Sequence, residues 1–149
     1  FFDLGDQATA TFDAAKLASS ASGAAVSVQA MVYINALKGH GHGNATLLQL
    51  YDNWNSLLTL SENEWTGLEV VGGQSFSAPG VDLSALLTPG SWHHVRLQLD
   101  GSGYSLEIDG ATVASTASGD LANWAAGTVT LTFGNFDGWV DEVVVEKAE

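Results

Sequence analysis

The stretch from Ser91 to Gly110 constrains the fold more than any other part of the chain. Val95, Leu97 and Leu99 alternate with Arg96 and Gln98, then Asp100-Gly101-Ser102-Gly103 interrupts, and Tyr104, Leu106 and Ile108 alternate with Ser105 and Glu107. A period of two gives each segment one apolar and one polar face, which is the pattern of half-buried strands joined in a hairpin. Asp109-Gly110 predicts a tight turn into a third strand, Ala111 to Ser115, because this dipeptide suits the positive φ angles of short hairpin turns. A meander that is apolar on one side needs a second layer to cover it.

The rest of the chain reads as further strands. Ala8 to Phe12 is a short candidate, and Leu17 to Ala25 is a loop rich in small residues. Val26, Val28, Ala30, Val32 and Ile34 alternate with Ser27, Gln29, Met31 and Tyr33, again a half-buried strand. Thr46 to Tyr51 and Leu57 to Leu60 predict a hairpin through Asp52-Asn53-Trp54-Asn55, and Gly67 to Val71 a further strand ended by Gly72-Gly73. Asp82 to Leu87 predicts one short helical turn before Pro89-Gly90. Gly119 to Gly127 is a loop, Val129, Leu131 and Phe133 alternate with threonines, and Trp139 to Glu146 closes the chain. About ten short strands divided by turn signals predict an all-β, antiparallel two-sheet sandwich of the jelly-roll kind.

Chain length and charge narrow the function classes. The 149 residues predict a single domain spanning 1–149, large enough to bury a core without staples. There is no cysteine, so neither a disulfide framework nor a cysteine-based metal site or nucleophile is available. Seventeen carboxylates against Lys16, Lys38, Arg96 and Lys147 give a net charge of −13, which repels nucleic acid and anionic lipid. The bulk acidity is read as a device of solubility; the sharper reading is a set of oxygen ligands for calcium. No apolar run is long enough for a membrane span and no signal peptide is seen. The start at Phe1-Phe2 is read as a trimmed or excised module of a larger protein.

Three segments carry a resemblance. WHHVRLQLDGSGYSLEIDG, beginning at Trp92, resembles the hairpin of the concanavalin A-like lectin and glucanase superfamily, in its laminin G-like and pentraxin-like branch. Val26 to Ile34 (VSVQAMVYI) is similar to an early strand of that branch, and Phe136 to Val145 (FDGWVDEVVV) to its closing strand. The resemblance implies a concanavalin A-like sandwich, and one such fold hosts many functions.

Asp141 is the residue hardest to place. By strict alternation it shares a face with Trp139, Val143 and Val145, opposite Val140, Glu142 and Val144, so either face sets a carboxylate among apolar neighbours. A core-facing carboxylate must be bonded, paired or bound to a cation. The resemblance implies a structural calcium where an aspartate of the last strand meets the first residues of the domain, here Asp3, Gly5 and Asp6. The expected metal ligands are therefore Asp141, Asp6 and Asp3, with backbone carbonyls completing the shell. The alternative is that Asp141 caps backbone amides at a strand start.

Two candidate binding sites follow. In the first, Tyr51, Asp52, Trp54 and Asn55, extended by Trp65 and Trp124, form an aromatic loop site, since indole faces stack on sugar rings and amides bond hydroxyls. The alternative is that these tryptophans plug the ends of the sandwich. In the second, the polar face of the central hairpin presents His94, Arg96, Gln98, Ser105 and Glu107, with Trp92 on the same face and expected to be partly buried. Arg96 either recognises an anionic sugar or, the favoured reading, pairs with Glu107 across the strands. Glu107-Ile108-Asp109 superficially matches the opening of the laminarinase-type catalytic motif, but no third carboxylate follows. A retaining glycosidase needs two carboxyl groups about 5 Å apart, and only one is evident. Glu62 and Glu64 are read as part of a polar turn, and His40 and His42 as part of a glycine-rich surface loop. No Ser-His-Asp spacing, phosphate loop or zinc-finger pattern is present.

The sequence thus predicts a noncatalytic, lectin-like carbohydrate-binding module with a structural calcium ion, part of a larger secreted bacterial protein and flanked by other domains. Its expected partner is a polysaccharide or other glycan, with no nucleic acid or membrane partner. The alternatives are a protein-interaction or adhesion module and, less favoured, a small glycoside hydrolase or polysaccharide lyase.

Overall fold

The computed structural model describes residues 2–3, 7–13, 26–37, 45–52, 55–63, 67–72, 75–78, 81–100, 103–116, 128–134 and 136–147. Among them are strands β1 (Phe2–Asp3), β2 (Gln7–Asp13), β3 (Val26–Leu37), β4 (Ala45–Asp52), β5 (Asn55–Asn63), β6 (Gly67–Gly72) and β7 (Ser75–Ala78). A short helix, α1 (Leu83–Leu86), follows. The remaining strands are β8 (Trp92–Asp100), β9 (Gly103–Ile108), β10 (Ala111–Thr116), β11 (Thr128–Gly134) and β12 (Phe136–Lys147). They form two six-stranded sheets, ordered β1-β12-β3-β8-β9-β10 and β2-β11-β4-β5-β6-β7, with every pairing antiparallel. This is the two-sheet sandwich that the alternation predicts.

In the first sheet the inward faces of β3, β8 and β9 are the ones the period of two selects. Val28, Ala30, Val32 and Ile34 of β3, Val95 and Leu97 of β8, and Leu106 and Ile108 of β9 are all buried in the core. Leu47 and Leu48 of β4, Leu60 of β5, and Leu131 and Phe133 of β11 meet them from the second sheet. Fully burying one such side chain stabilises the fold by about 1.5–3 kcal/mol. The helical turn closes part of the core. Asp82 caps it, its Oδ1 accepting from the backbone N–H groups of Ser84 (2.9 Å) and Ala85 (3.2 Å), and Leu83 and Leu87 are buried beneath it.

The predicted meander is present in full. β9 and β10 are joined through Asp109 and Gly110, with φ of +52° and +79°. Positive φ at both central residues is the signature of a type I′ turn, whose twist matches that of the flanking strands. Two details differ from the sequence-based expectation. β7 is a strand of four residues, too short for alternation to reveal, and Glu62 lies within β5, paired with Leu68 and Ala45, rather than in a turn. The loops at 17–25, 38–44 and 119–127 lie outside the described residues.

The Asp109 turn is also tied sideways. Its backbone N–H donates to the His94 carbonyl (2.9 Å), its Oδ1 accepts from the His94 N–H (2.9 Å), and its Oδ2 lies 2.8 Å from His93 Nδ1. The buried His93 ring reaches the Thr88 carbonyl with Nε2, at 3.0 Å. Burial alone would raise the Asp109 carboxyl. The hydrogen bond to His93, the His94 N–H and the charges of the two histidines outweigh it and hold the group below its usual range.

β12 is the most irregular strand. Its pairing with β3 shifts register between Asp137 and Gly138, and again between Asp141 and Val144. At the first shift a side chain is impossible, because a Cβ on Gly138 would overlap the Tyr33 carbonyl oxygen. At the second, three steps along β12 match two along β3, with Glu142 in the left-handed region at φ +50°. Both are β-bulges.

Gly138→Ala should destabilise the protein by about 2–3 kcal/mol, since backbone rather than a mobile side chain blocks the methyl group. Denaturant unfolding checks this, and an unchanged midpoint would contradict the close approach. The lowered Asp109 carboxyl makes a second expectation. Just below the usual carboxylate range the unfolded chain binds the proton and the folded chain does not, so stability rises with pH there. Its contribution is complete above that range and lost as pH falls through the lowered value. Asp109→Asn should therefore flatten the acid limb of a melting temperature against pH curve, and an unchanged limb would contradict the bonding described.

Candidate functional site

The outward face of the first sheet is built in rows by the register of its strands. Trp139 pairs with Tyr33 and Tyr33 with Trp92, so three aromatic residues stand side by side across β12, β3 and β8. The next row is Asp141, Met31 and His94, and the next Val144, Gln29, Arg96 and Glu107. The last is Glu146, Ser27, Gln98 and Ser105.

The aromatic row is a set of tilted contacts. Tyr33 meets Trp92 edge-on, with centroids 5.5 Å apart and planes at 64°, and meets Trp139 at 4.9 Å and 58°. Such pairs contribute about 0.5–1.5 kcal/mol beyond the area they bury and hold each ring in place. Trp92 is 39% exposed, whereas Tyr33 and Trp139 are half-buried. The sequence predicts Trp92 to be partly buried. It is: Trp92 packs on the outward-facing Tyr33 at the end of the row and keeps 39% of its surface exposed. Gly90, at φ +85°, carries no side chain beside the Tyr33 hydroxyl, and its N–H donates to the Ile34 carbonyl (3.1 Å).

Polar groups flank the row on both sides. Asn35 and Asp137 are exposed at one end of β3 and β12, and His94 and Asp141 are half-buried on the other side. Arg96 lies flat over the sheet. Its Nη1 donates to Glu107 Oε2 at 3.3 Å and its Nε to Ser27 Oγ at 3.3 Å, which leaves Ser27 fully buried beneath it. The cross-strand pairing of Arg96 with Glu107 is thus the one the sequence favours. Both partners are about a third exposed, so the pair contributes no more than about 1 kcal/mol. Farther along, Gln29 Nε2 donates to Glu146 Oε1 at 2.7 Å.

Asp141 requires a correction. Strict alternation places it beside Val143 and Val145 with the prospect of facing the core, but the bulge breaks the alternation. Val140 is buried and Val145 packs against the core, while Val143 and Val144 are 37% and 44% exposed. Asp141 stands half-buried on the outward face, and its Oδ1 accepts from the Glu142 N–H at 2.8 Å. Its carboxylate stabilises the bulge, which is close to the backbone-capping alternative, and a buried charge no longer demands a cation. β1 does run beside β12, with Asp3 opposite Trp139, while Asp6 lies outside the described residues. Among the described residues no three His, Cys, Asp or Glu side chains gather as a metal site would require.

The two predicted sites are on different sheets. Tyr51 and Asp52 end β4, and Asn55 opens β5 opposite Asp52, all in the second sheet. Trp54, Trp65 and Trp124 lie outside the described residues. Arg96 and Glu107 share the outward face of the first sheet with the aromatic row. Sequence reasoning misses that row as a unit, although each member is visible as an outward residue of an alternating strand. Only the register of β12 against β3 and of β3 against β8 aligns them.

No protein-family model and no curated protein sequence matches the chain. Solved structures do match its fold. Domain 4 of AbnA, an extracellular arabinanase of Geobacillus stearothermophilus in complex with arabinotriose, superposes with a TM-score of 0.63 at 17% identity, over 91% of this chain and 64% of that one. A variant of human galectin-16 superposes with a TM-score of 0.61 at 8% identity, over 99% of both chains. The alginate lyase AlgAT5 superposes with a TM-score of 0.52 at 11% identity, over 94% of this chain and 63% of that one. This chain therefore spans a little under two thirds of the arabinanase and lyase chains that it matches. At these identities the likeness concerns architecture, and the architecture is a two-sheet jelly-roll β-sandwich.

Proposed function

We propose that this chain is a noncatalytic carbohydrate-binding module whose site is the outward face of the first sheet. The observation that carries the proposal is the row Trp92, Tyr33 and Trp139, bordered by hydrogen-bonding side chains. Aromatic rings pack against the C–H faces of sugars, and neighbouring amides, carboxylates and imidazoles bond the hydroxyls. The presence of an arabinotriose-bound domain and a galectin among the structural neighbours supports the same reading. Assignment to the laminin G-like branch, and a place in a larger secreted protein, belong to this proposal as well.

The noncatalytic part rests on what four carboxylates of this sheet already do, exposed Asp137 standing apart from them. Glu107 pairs with Arg96, Asp109 holds the β9–β10 turn, Asp141 holds the bulge and Glu146 accepts from Gln29. Each is committed to a bond inside the fold, which is a poor starting point for a proton donor or nucleophile. The rival reading, a protein-interaction module, draws on exposed Val143 and Val144 farther along β12. A structural calcium ion between the amino-terminal segment and Asp141 is a further proposal, supported by the pairing of β1 with β12.

Affinity electrophoresis against a polysaccharide panel tests the main reading. Trp92→Ala should weaken retention at least about tenfold, equivalent to about 1.4 kcal/mol, with little change in melting temperature, while Trp54→Ala should leave retention intact. The reverse pattern would move the site to the β4–β5 rim and end the assignment to the first sheet. For calcium, a chelator should lower the melting temperature by several degrees if the ion is structural; an unshifted transition would remove it.

A further inference from the structure

Resting on the carbohydrate-binding reading, we infer that the ligand is an uncharged oligosaccharide or polysaccharide that lies across the strands, and that polyuronates and sulfated glycans are excluded. Charge decides the first part and strand geometry the second. Arg96 is the sole arginine of the chain and the guanidinium nearest the aromatic row, and it is already held by Glu107 and Ser27. On the same face Asp137 and Asp141 flank the aromatic row, and Glu107 and Glu146 lie farther along it. A carboxylated or sulfated polymer settling on the row would meet Asp137 and Asp141 beside it, with no unengaged guanidinium on the described face to offset them. It would do so on a chain of net charge −13. Like-charge contact of this kind opposes binding most strongly at low ionic strength, where the Debye length is longest.

Neutral sugars meet no such opposition. Carboxylates and amides are good acceptors and donors for hydroxyl groups, and the indole faces are indifferent to salt. The row also fixes direction. It crosses three adjacent strands, and at about 4.8 Å per strand it spans about 10 Å, more than a single sugar ring covers. A glycan following it runs perpendicular to the strands, one ring over Trp92 and later rings toward Trp139, with Asn35 and Asp137 on one side and His94 and Asp141 on the other.

The test is affinity electrophoresis and calorimetry on the whole chain, at low and high salt. The neutral polymers are arabinan, galactan, β-glucan and mannan, and the anionic ones alginate and polygalacturonate. Retention is expected on at least one neutral polymer, with an affinity that changes less than about twofold with salt, and on neither anionic polymer. The double variant Glu107→Gln, Glu146→Gln, at two carboxylates away from the row, should keep the neutral affinity within a few-fold and gain measurable retention on the anionic polymers at low salt. Salt-sensitive retention of the unaltered chain on alginate or polygalacturonate would overturn the charge inference while leaving glycan binding intact. A double variant with no gain would likewise remove charge as the cause. No retention on any polymer would end the carbohydrate reading itself.

Discussion

The pairing of β12 with β3 is the constraint on which the first sheet depends. β12 is the closing strand of the described chain, yet it inserts between the amino-terminal β1 and the central β3, so both ends of the domain are tied to its longest ladder. Two bulges interrupt that ladder, and each re-aims the side chains after it. The first needs a glycine because the backbones come within a side chain's reach of one another. The second needs a residue at positive φ, and Glu142 occupies it with its N–H held by the preceding carboxylate. Without the first shift Trp139 would not stand beside Tyr33. Without the second, Val145 would lose its place against the core.

Most side-chain contacts described on this sheet join neighbouring strands. His93 and Asp109 tie β8 to the β9–β10 turn, Arg96 joins β8 to β9 and β3, and Gln29 joins β3 to β12. Individually such bonds are modest, about 0.5–1.5 kcal/mol each. Together they hold the surface on which the aromatic row rests, and they engage Glu107, Asp109 and Glu146. The result is a well-bonded face with an exposed indole at one end.

The fold alone does not choose among the activities its neighbours display. An arabinotriose-bound domain, a galectin and an alginate lyase share this architecture at identities too low to transmit a site. The distinctions lie in which side chains the outward face presents and with what charge. Here the face is acidic, its guanidinium is engaged, and its aromatic residues are aligned across strands rather than gathered in a loop.

Much of the fold was legible in the sequence, and for a physical reason. Alternation is a local property, so Val28 to Ile34, Val95 to Leu99 and Tyr104 to Ile108 declare their faces without reference to the rest of the chain, and Asp109-Gly110 declares its turn. The pairing of Arg96 with Glu107 was legible because a hairpin fixes its own register. What depended on contacts between distant segments was not. His93 and Asp109 meet only because the turn folds back on β8, and Val145 turns to the core side, away from Asp141, only because a bulge forms against β3. The row of Trp92, Tyr33 and Trp139 joins residues drawn from three separate segments. The sequence by itself determined two-faced strands and therefore a sandwich; only the tertiary structure, by setting register between strands far apart in the chain, decided which outward side chains stand together.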